Sequence, residues 1–564
     1  MERVVKISFF SLKMGAIYKK AILILFTIFM SSYLYSQDFE WAKSFPSASL
    51  SATPDRLMAT DALGNVFITG RFQGTVDFDP GAGIFNLTSN GWYDAFVQKM
   101  DSSGNFLWAK SFGGPDGVEG NSIVIDVLGN VYITGRFSGT ADFDPSVDTF
   151  NLSVIGLEDA FVQKMDSLGN FLWAKPFTPY TAKGISITTD ASGNVYVAGN
   201  HVTPPFFNFS FFVQKMDSLG NSLWVRSFGQ SSLDNIISIM TDASGNVYTT
   251  GYFEGVADFD PGAGIFNLTS VGGSVDAFVQ KMDSSGNFLW AQSLGGANDD
   301  YCFSITTGES ESIYITGYFQ GTVDFDPSAG TYNLTSNGYQ DVFVQKLDSL
   351  GNFLWVKSFG GSDNANHVAQ GRFIATDASG NIYTGGSFYG TVDFDPGAGI
   401  FNLTSNGWYE GFVQKMDSSG NFLWMQRLPS VVCIAIDASE SVYTLGEFVG
   451  TVDFDPGVGI FNLTSEGGAN EFFVQKISAG YYVGINEIEP LVFVYPNPLK
   501  NETTLSVKAD LLGKGFTIAD SRGKIVLTDI FKSTEQIVNL SGVDKGVYLI
   551  RTDRESKPVK IIKH

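Results

Sequence analysis

Short apolar segments alternate with turns rich in Gly, Asp and Asn along most of the 564-residue chain. In one stretch the apolar segments lie near Ser122–Asp126, Val131–Phe137, Ala160–Asp166 and Phe171–Lys175. They are short, contain many β-branched and aromatic residues, and end at turn-forming residues, which is typical of β-strands. No helical period competes with this pattern between residues 37 and 490. The pattern therefore predicts an all-β fold.

This four-strand pattern is one repeat written seven times. Each copy contains Asp-x-x-Gly-Asn-Val-Tyr or a variant of it, followed later by Phe-Val-Gln-Lys-Met-Asp-Ser-x-Gly-Asn-Phe-Leu-Trp or a close variant. The first string begins at Asp61, Asp126, Asp190, Asp242, Gly308, Asp377 and Asp437, and the second at Phe96, Phe161, Phe212, Phe278, Phe343, Phe412 and Phe473. Four-stranded units of this kind stack radially, so the repeat predicts a seven-bladed β-propeller over residues 37–478.

The tryptophan of the fourth strand indicates how the propeller is completed. It occurs at Trp41, Trp108, Trp173, Trp224, Trp290, Trp355 and Trp424, and the seventh copy ends at Ile477 without one. The segment Phe39–Phe45 stands alone before the first copy. We therefore expect this N-terminal strand to complete the last blade and close the ring.

An acidic insert lies between the second and third strands of six copies and is a candidate calcium site. Its Asp-Phe-Asp-Pro core places two carboxylates on one face of an extended strand, and calcium prefers oxygen ligands in flexible geometry. The candidate ligands are Asp77, Asp79, Asp142, Asp144, Asp258, Asp260, Asp324, Asp326, Asp393, Asp395, Asp453 and Asp455. The alternative is a solvated hairpin with Asp in turn positions and Phe as the inward anchor.

Irregular places in the repeat are the other candidates for binding. The third copy lacks the insert and reads His201-Val202-Thr203-Pro204-Pro205-Phe206-Phe207 in its place. Trp92 and Trp408 lie outside the fourth strands and could stack on a sugar ring, or else cover a neighbouring insert. We find no catalytic motif and expect a protein that is not an enzyme.

Charge and cysteine content narrow the possible partners. Residues 37–490 carry 18 basic and 49 acidic residues, and this negative field disfavours nucleic acid and anionic lipid. The two cysteines, Cys302 and Cys433, lie in non-neighbouring repeats, so we expect buried thiols and no disulfide.

Both ends of the chain indicate export. Residues 1–36 combine basic residues, the short apolar run Ala21–Met30 and small residues, which predicts a secretory signal peptide cleaved after Ser36. We expect no membrane span after cleavage. An uncleaved anchor is the alternative, although the run is shorter than a bilayer requires. Residues 479–490 are predicted to be a linker, and residues 491–564 a small Ig-like β-sandwich.

Two families resemble these segments. Residues 39–478 resemble the SBBP-type β-propeller repeat of exported bacterial proteins, which implies a fold and no particular activity. Residues 491–564, with Tyr495-Pro496-Asn497-Pro498 and Gly546-Val547-Tyr548, resemble the type A sorting domain of the type IX secretion system. That resemblance implies delivery by the type IX machinery to the cell surface or the medium. An ordinary Ig-like adhesion module is the alternative for this domain.

Three functions remain compatible with the sequence. The leading hypothesis is a surface or secreted binding protein whose propeller holds a glycan or a protein partner. The alternatives are a glycan-degrading enzyme with carboxylates on one propeller face, and a structural component of a surface layer.

Overall fold

The computed structural model divides the chain into two units, Met1–Gly484 and Ile485–His564, which are described separately. It describes residues 39–45, 57–154, 156–177, 181–203, 208–229, 234–326, 330–361, 367–457, 459–465, 470–478, 492–495, 502–507, 512–520, 524–552 and 559–563. The predicted signal peptide and most of the predicted linker lie outside these ranges. The division between the two units falls inside the predicted linker.

The first unit consists of antiparallel sheets, seven of which repeat the same four-strand order in the described residues. We number these repeats 1 to 7 and their strands first to fourth. The strands are Met58–Thr60, Val66–Phe72, Asp94–Met100 and Phe106–Phe112 in repeat 1; Val118–Ile125, Val131–Phe137, Asp159–Met165 and Phe171–Phe177 in repeat 2; Ala182–Thr189, Val195–Thr203, Asn208–Met216 and Ser222–Phe228 in repeat 3; Asn235–Thr241, Val247–Glu254, Val275–Met282 and Phe288–Leu294 in repeat 4; Tyr301–Thr307, Ile313–Phe319, Asp341–Leu347 and Phe353–Gly361 in repeat 5; Val368–Thr376, Ile382–Tyr389, Glu410–Met416 and Phe422–Leu428 in repeat 6; and Cys433–Ile436, Val442–Phe448 and Glu471–Ile477 in repeat 7. The predicted all-β propeller fold is confirmed.

Phe39–Phe45 supplies the fourth strand of repeat 7. It pairs antiparallel with Glu471–Ile477, so that Ala42 lies opposite Gln475 and Phe45 opposite Phe472. Repeat 7 therefore combines strands from both ends of the propeller segment.

The Asp-x-x-Gly-Asn turns are held by their own aspartates. In repeat 2 the Oδ1 of Asp126 accepts the N–H groups of Leu128 and Asn130 at 2.9 and 2.8 Å. Gly129 has φ 81°, a conformation that residues with a side chain rarely adopt. The turn at Asp437 departs from the pattern, and there Glu440 takes the position of the glycine with φ 62°.

Consecutive repeats share hydrophobic cores. One such core joins Phe67 of repeat 1 to Ile133 of repeat 2, and each following pair of repeats has an equivalent core. A further core brings Trp41 and Tyr443 of repeat 7 together with Ile68 of repeat 1. Each sheet is therefore covered on both faces by its neighbours, as the apolar sequence of its strands requires.

Lysines of the third strands connect each repeat to the next through polar contacts. In the described residues six of them donate to the carbonyl of a serine in the following repeat's turn between strands three and four. The pairs are Lys99 with Ser167, Lys164 with Ser218, Lys215 with Ser284, Lys281 with Ser349, Lys346 with Ser418 and Lys476 with Ser102. In repeat 6 the equivalent Lys415 lies 3.3 Å from Asp377.

The inserts form small hairpins beside the main sheets. In repeat 1, Thr75–Asp77 pairs with Asn86–Thr88, and the other five inserts pair Thr140–Asp142 with Asn151–Ser153, Val256–Asp258 with Asn267–Thr269, Thr322–Asp324 with Asn333–Thr335, Thr391–Asp393 with Asn402–Thr404, and Thr451–Asp453 with Asn462–Thr464. A glutamine of the third strand holds each insert. In repeat 1, Gln98 Nε2 donates to the carbonyl of buried Phe78 at 2.6 Å.

The second unit is a two-sheet sandwich. One sheet contains Val492–Tyr495, Glu502–Val507 and Glu535–Asn539, and the other contains Ile525–Ile530, Gly515–Asp520, Gly546–Thr552 and Val559–Lys563. Leu505 and Val538 of the first sheet share a core with Phe516 and Ile550 of the second. This arrangement agrees with the predicted β-sandwich.

Both cysteines are buried and form no disulfide, and they belong to different hydrophobic cores. Burial raises the pKa of Cys302 to about 12. Among the described residues, no helix has the length and apolar character needed to cross a membrane.

Candidate ligand-binding site

The aspartates of the inserts hold the hairpin backbone. Asp77 Oδ1 accepts the N–H groups of Asp79 and Phe85 at 3.0 and 2.8 Å. Asp79 Oδ1 in turn accepts the N–H of Gly81 at 2.8 Å. One oxygen of each carboxylate is thus engaged within the turn, in the arrangement of a solvated hairpin with an inward phenylalanine.

The same bonds recur in the other inserts. The first aspartate of each, namely Asp142, Asp258, Asp324, Asp393 and Asp453, accepts two backbone N–H groups, and among the second aspartates Asp144, Asp260, Asp395 and Asp455 accept one. The remaining second aspartate, Asp326, also takes part in an interaction. Within the described ranges, no three His, Cys, Asp or Glu side chains come together as potential metal ligands. Calcium binding by the inserts stays a prediction.

Trp92 and Trp408 lie at the surface in different repeats. Their exposed fractions are 76% and 81%. Repeat 7 separates repeat 6, which holds Trp408, from repeat 1, which holds Trp92. Stacking of either tryptophan on a sugar ring stays a prediction.

A cavity of about 700 Å³ lies against the first strands of repeats 2 to 5. These first strands lie against one another and are the innermost of each sheet. The cavity borders repeat 3, which lacks the insert and was one of the irregular places in the sequence. Its volume is within the range of ligand pockets.

β-Bulges in the first strands direct side chains toward this cavity. The pairing register shifts by one residue in the first strands of repeats 2 to 6. The extra residues are Asn121, Ile185, Ile237, Phe303 and Arg372, and the first four line the cavity. Such bulges commonly redirect side chains beside functional sites.

Charged residues form the wall on the side of repeats 2 and 3. Arg136 contacts Glu119 at 2.8 Å and Glu158 at 2.9 Å, and Lys183 lies 3.6 Å from Glu158. Burial alone would lower the pKa of Arg136, but its bonds to the two glutamates raise it above its ordinary value. The charges of this wall largely neutralise one another.

Amide and aromatic side chains line the cavity on the side of repeats 3 to 5. Asn200 donates to Asn235, whose own amide donates to the hydroxyl of Tyr252 at 3.0 Å. The rings of Tyr252 and Tyr301 meet edge to face, with centroids 4.7 Å apart. The rings of Tyr301 and Phe303 are parallel within 6°, with centroids 5.9 Å apart. Amide groups and flat ring faces together suit a hydroxyl-rich ligand such as a sugar.

Two carboxylates belong to the cavity wall, and both have donors. Glu158 is paired with Arg136 and Lys183. Asp234 accepts the N–H of Glu254 at 3.3 Å. This arrangement favours the binding of a polar ligand by groups that are already held in place.

The motifs shared by the repeats gave no indication of most of these residues, because the cavity is lined at positions where the repeats differ. The residue after the glycine of the second strand is an example, since it is Arg136, Asn200 and Tyr252 in repeats 2 to 4, and all three line the cavity. This variation within an otherwise regular repeat is the signal that the sequence contains.

Family comparisons agree with the two kinds of domain. Residues 107–139 match the family described as Beta-propeller repeat, and residues 493–564 match the family described as Secretion system C-terminal sorting domain. The chain therefore carries both a β-propeller repeat and a secretion sorting domain, as the motifs predicted. The sorting domain supports secretion to the cell surface or beyond it.

Curated relatives cover only part of the chain. An uncharacterized WD repeat-containing protein of Acanthamoeba polyphaga mimivirus is 26% identical over 280 residues, which are 46% of this chain and 17% of the relative. Regulatory protein FlaEY of Caulobacter vibrioides is 25% identical over 203 residues, which are 34% of this chain and 20% of that protein. The aligned part of this chain thus spans a fifth or less of the length of these relatives.

Solved structures resemble the chain weakly. A puromycin hydrolase mutant has a TM-score of 0.40 at 10% identity, covering 82% of this chain and 61% of its own. The polysaccharide lyase Uly1 has a TM-score of 0.36 at 10% identity, covering 79% and 98%. PorZ, a surface component of the type IX secretion system of Porphyromonas gingivalis, has a TM-score of 0.14 at 11% identity, covering 93% and 100%. Similarity at this level says nothing about activity.

Proposed function

We propose that this chain is an exported, non-enzymatic binding protein that holds a glycan in the cavity of repeats 2 to 5. Its secretion sorting domain and propeller repeat support a secreted surface protein. Delivery by the type IX machinery, with either release or attachment at the surface, belongs to this proposal.

The observation that carries the proposal is the composition of the cavity wall. Tyr252, Tyr301 and Phe303 contribute aromatic rings to this wall, and Asn200 and Asn235 contribute amides beside them. Sugars present hydroxyl groups at their edges and C–H groups on their faces, which are the complements of amides and aromatic rings.

Glycan binding can be tested with the purified protein on a glycan array, once with calcium and once with a chelator. We expect selected glycans to bind, and Tyr301→Ala to weaken that binding about tenfold, because a stacked ring contributes about 1 kcal/mol or more. Tyr332→Ala, which removes an exposed tyrosine from the insert of repeat 5, is the matched control and should bind like the wild type.

The same samples distinguish the alternatives. Loss of binding in chelator would connect the insert aspartates to recognition. Release of sugar fragments by the wild-type protein would contradict the non-enzymatic proposal in favour of glycan degradation. A complete absence of glycan binding in both conditions would contradict the proposal and leave a protein partner or a structural role.

A further inference from the structure

Arg372 differs from every other described arginine of the propeller in its partners. Arg71 and Arg136 pair with Glu119, and Arg427 pairs with Glu410. Arg226 donates to backbone carbonyls. Arg372 donates only to the neutral side-chain oxygen of Gln370, at 2.7 Å, and pairs with no carboxylate in the described part of the chain.

The surroundings of Arg372 are aromatic and partly closed to solvent. Its guanidinium carbon lies 5.2 Å from the centre of the Phe303 ring, which is part of the cavity wall. Tyr318 and Tyr409 are its other electrostatic neighbours, and burial lowers the pKa of Arg372. Partial burial of a cation without a counterion costs free energy, and an anionic ligand would offset that cost.

Phe303 connects Arg372 to the aromatic wall. The rings of Phe303 and Tyr318 have centroids 5.8 Å apart, and Tyr318 is also 5.0 Å from Tyr301. Arg372 does not line the cavity itself but borders it through Phe303, so a ligand that extends past Phe303 would meet the guanidinium. The guanidinium has five N–H donors in a planar fork. Within the described residues only one of them is hydrogen-bonded, to Gln370.

We infer that the cavity takes an acidic saccharide, one whose carboxylate or sulfate group pairs with Arg372; this inference rests on the proposed function. The net negative charge of residues 37–490 limits the ligand further. A long polyanionic chain would be repelled by the surrounding carboxylates, whereas a single acidic sugar can reach the guanidinium. The ligand is therefore a glycan that presents one acidic residue to the cavity.

The test uses the purified full chain on an array of neutral, uronic-acid, sialylated and sulfated glycans. We expect binding to acidic glycans, and the uronic-acid and sulfated members distinguish carboxylate from sulfate recognition. For the best carboxylated glycan, reduction of the carboxylate to an alcohol should weaken binding about tenfold to a hundredfold, the usual range for a bond to a charged group. For a sulfated glycan, removal of the sulfate is the equivalent change.

Variants of Arg372 connect the effect to this side chain. R372Q should lose the preference for the acidic glycan over its neutral counterpart, and R372K should retain part of it because the charge remains. R226Q removes an arginine from the fourth strand of repeat 3 and should keep the preference. If R372Q does not fold, the contribution of the Arg372 charge can be measured in two other ways. One is the reduced preference of R372K for the acidic glycan, and the other is the fall in wild-type affinity for that glycan as the salt concentration rises.

The outcomes separate the two proposals. Binding of neutral and acidic glycans with equal affinity, or an unchanged acidic preference in folded R372Q, would overturn the inference and leave glycan binding in place. The absence of any glycan binding would overturn both.

Discussion

Buried aspartates occupy the start of the third strand in several repeats. Asp159 of repeat 2 is one of them, and burial raises its pKa to about 7. Burial also raises the pKa of the equivalent Asp94, Asp276 and Asp341, although backbone hydrogen bonds act in the opposite direction. Folding therefore favours the protonated form of these groups, whereas hydrogen bonds within the turns lower the pKa of turn aspartates such as Asp166 and Asp190.

The stability of the propeller should consequently fall as pH rises through this range. The folded-state pKa of Asp159 lies above its ordinary value of 3.8, so the folded protein binds more protons than the unfolded chain between about pH 4 and 7. We expect Asp159→Asn to raise the thermal midpoint at pH 8 and to change it little at pH 4. Asp148→Asn removes an exposed charge from the same repeat and is the control. Equal effects of Asp159→Asn at both pH values would contradict the explanation.

At the scale of the element, the insert is a hairpin that a glutamine of the third strand ties to the main sheet. Gln280 donates to the carbonyl of Phe259 at 2.5 Å and accepts the hydroxyl of Thr249 at 3.1 Å. Repeat 3 has no insert, and there Gln214 donates to the hydroxyl of Ser222. The glutamine at this position therefore makes a buried hydrogen bond in repeat 4 and an exposed one in repeat 3.

This difference makes the two glutamines a matched pair. Gln280→Leu leaves the buried carbonyl of Phe259 without its donor, so we expect a loss of about 1 to 3 kcal/mol in the free energy of unfolding. Gln214→Leu should change it by less than about 0.5 kcal/mol. Chemical denaturation of both variants measures the difference, and similar losses would show that the glutamine does not anchor the insert.

The sequence predicted these elements well and the cavity poorly, for physical reasons. Strands and turns depend on local properties that every repeat shares, such as the alternation of apolar residues and the Asp–Gly turn. For example, the second strand of repeat 2 was predicted at its observed bounds, Val131–Phe137. The cavity depends on bulges and on residues such as Phe303 and Arg372, which come together only when separate repeats pack. Only the missing insert of repeat 3 indicated its position.

At the scale of the whole molecule, the N-terminal strand behaves as a normal fourth strand. Trp41 donates to the carbonyl of Ser102 at 3.1 Å, as Trp173 donates to that of Ser218 at 3.2 Å. Each indole also meets a tyrosine of its own repeat, with centroids 6.1 Å apart. The contacts between repeats 7 and 1 thus reproduce those between repeats 2 and 3.

Similar contacts should give similar energetic consequences. We expect Trp41→Ala to lower the free energy of unfolding by about 3 kcal/mol or more, and Trp173→Ala by a similar or somewhat smaller amount, because the ring of Trp173 is only partly buried against its core. Thermal unfolding followed by tryptophan fluorescence measures both. If Trp41→Ala leaves the main transition unchanged while Trp173→Ala lowers it, the N-terminal strand is not part of the cooperative unit.

The pairing of Phe39–Phe45 with Glu471–Ile477 also constrains how the chain can be made. Phe39–Phe45 is synthesised long before its partner strand, so it can pair only after nearly the whole propeller segment has been made. Until then its apolar residues and unpaired backbone are open to association with other chains. A copy that stops early in translation, or is cut before residue 471, leaves this strand permanently unmatched. The sheet of repeat 7 can therefore form completely only in a chain whose propeller segment is intact at both ends.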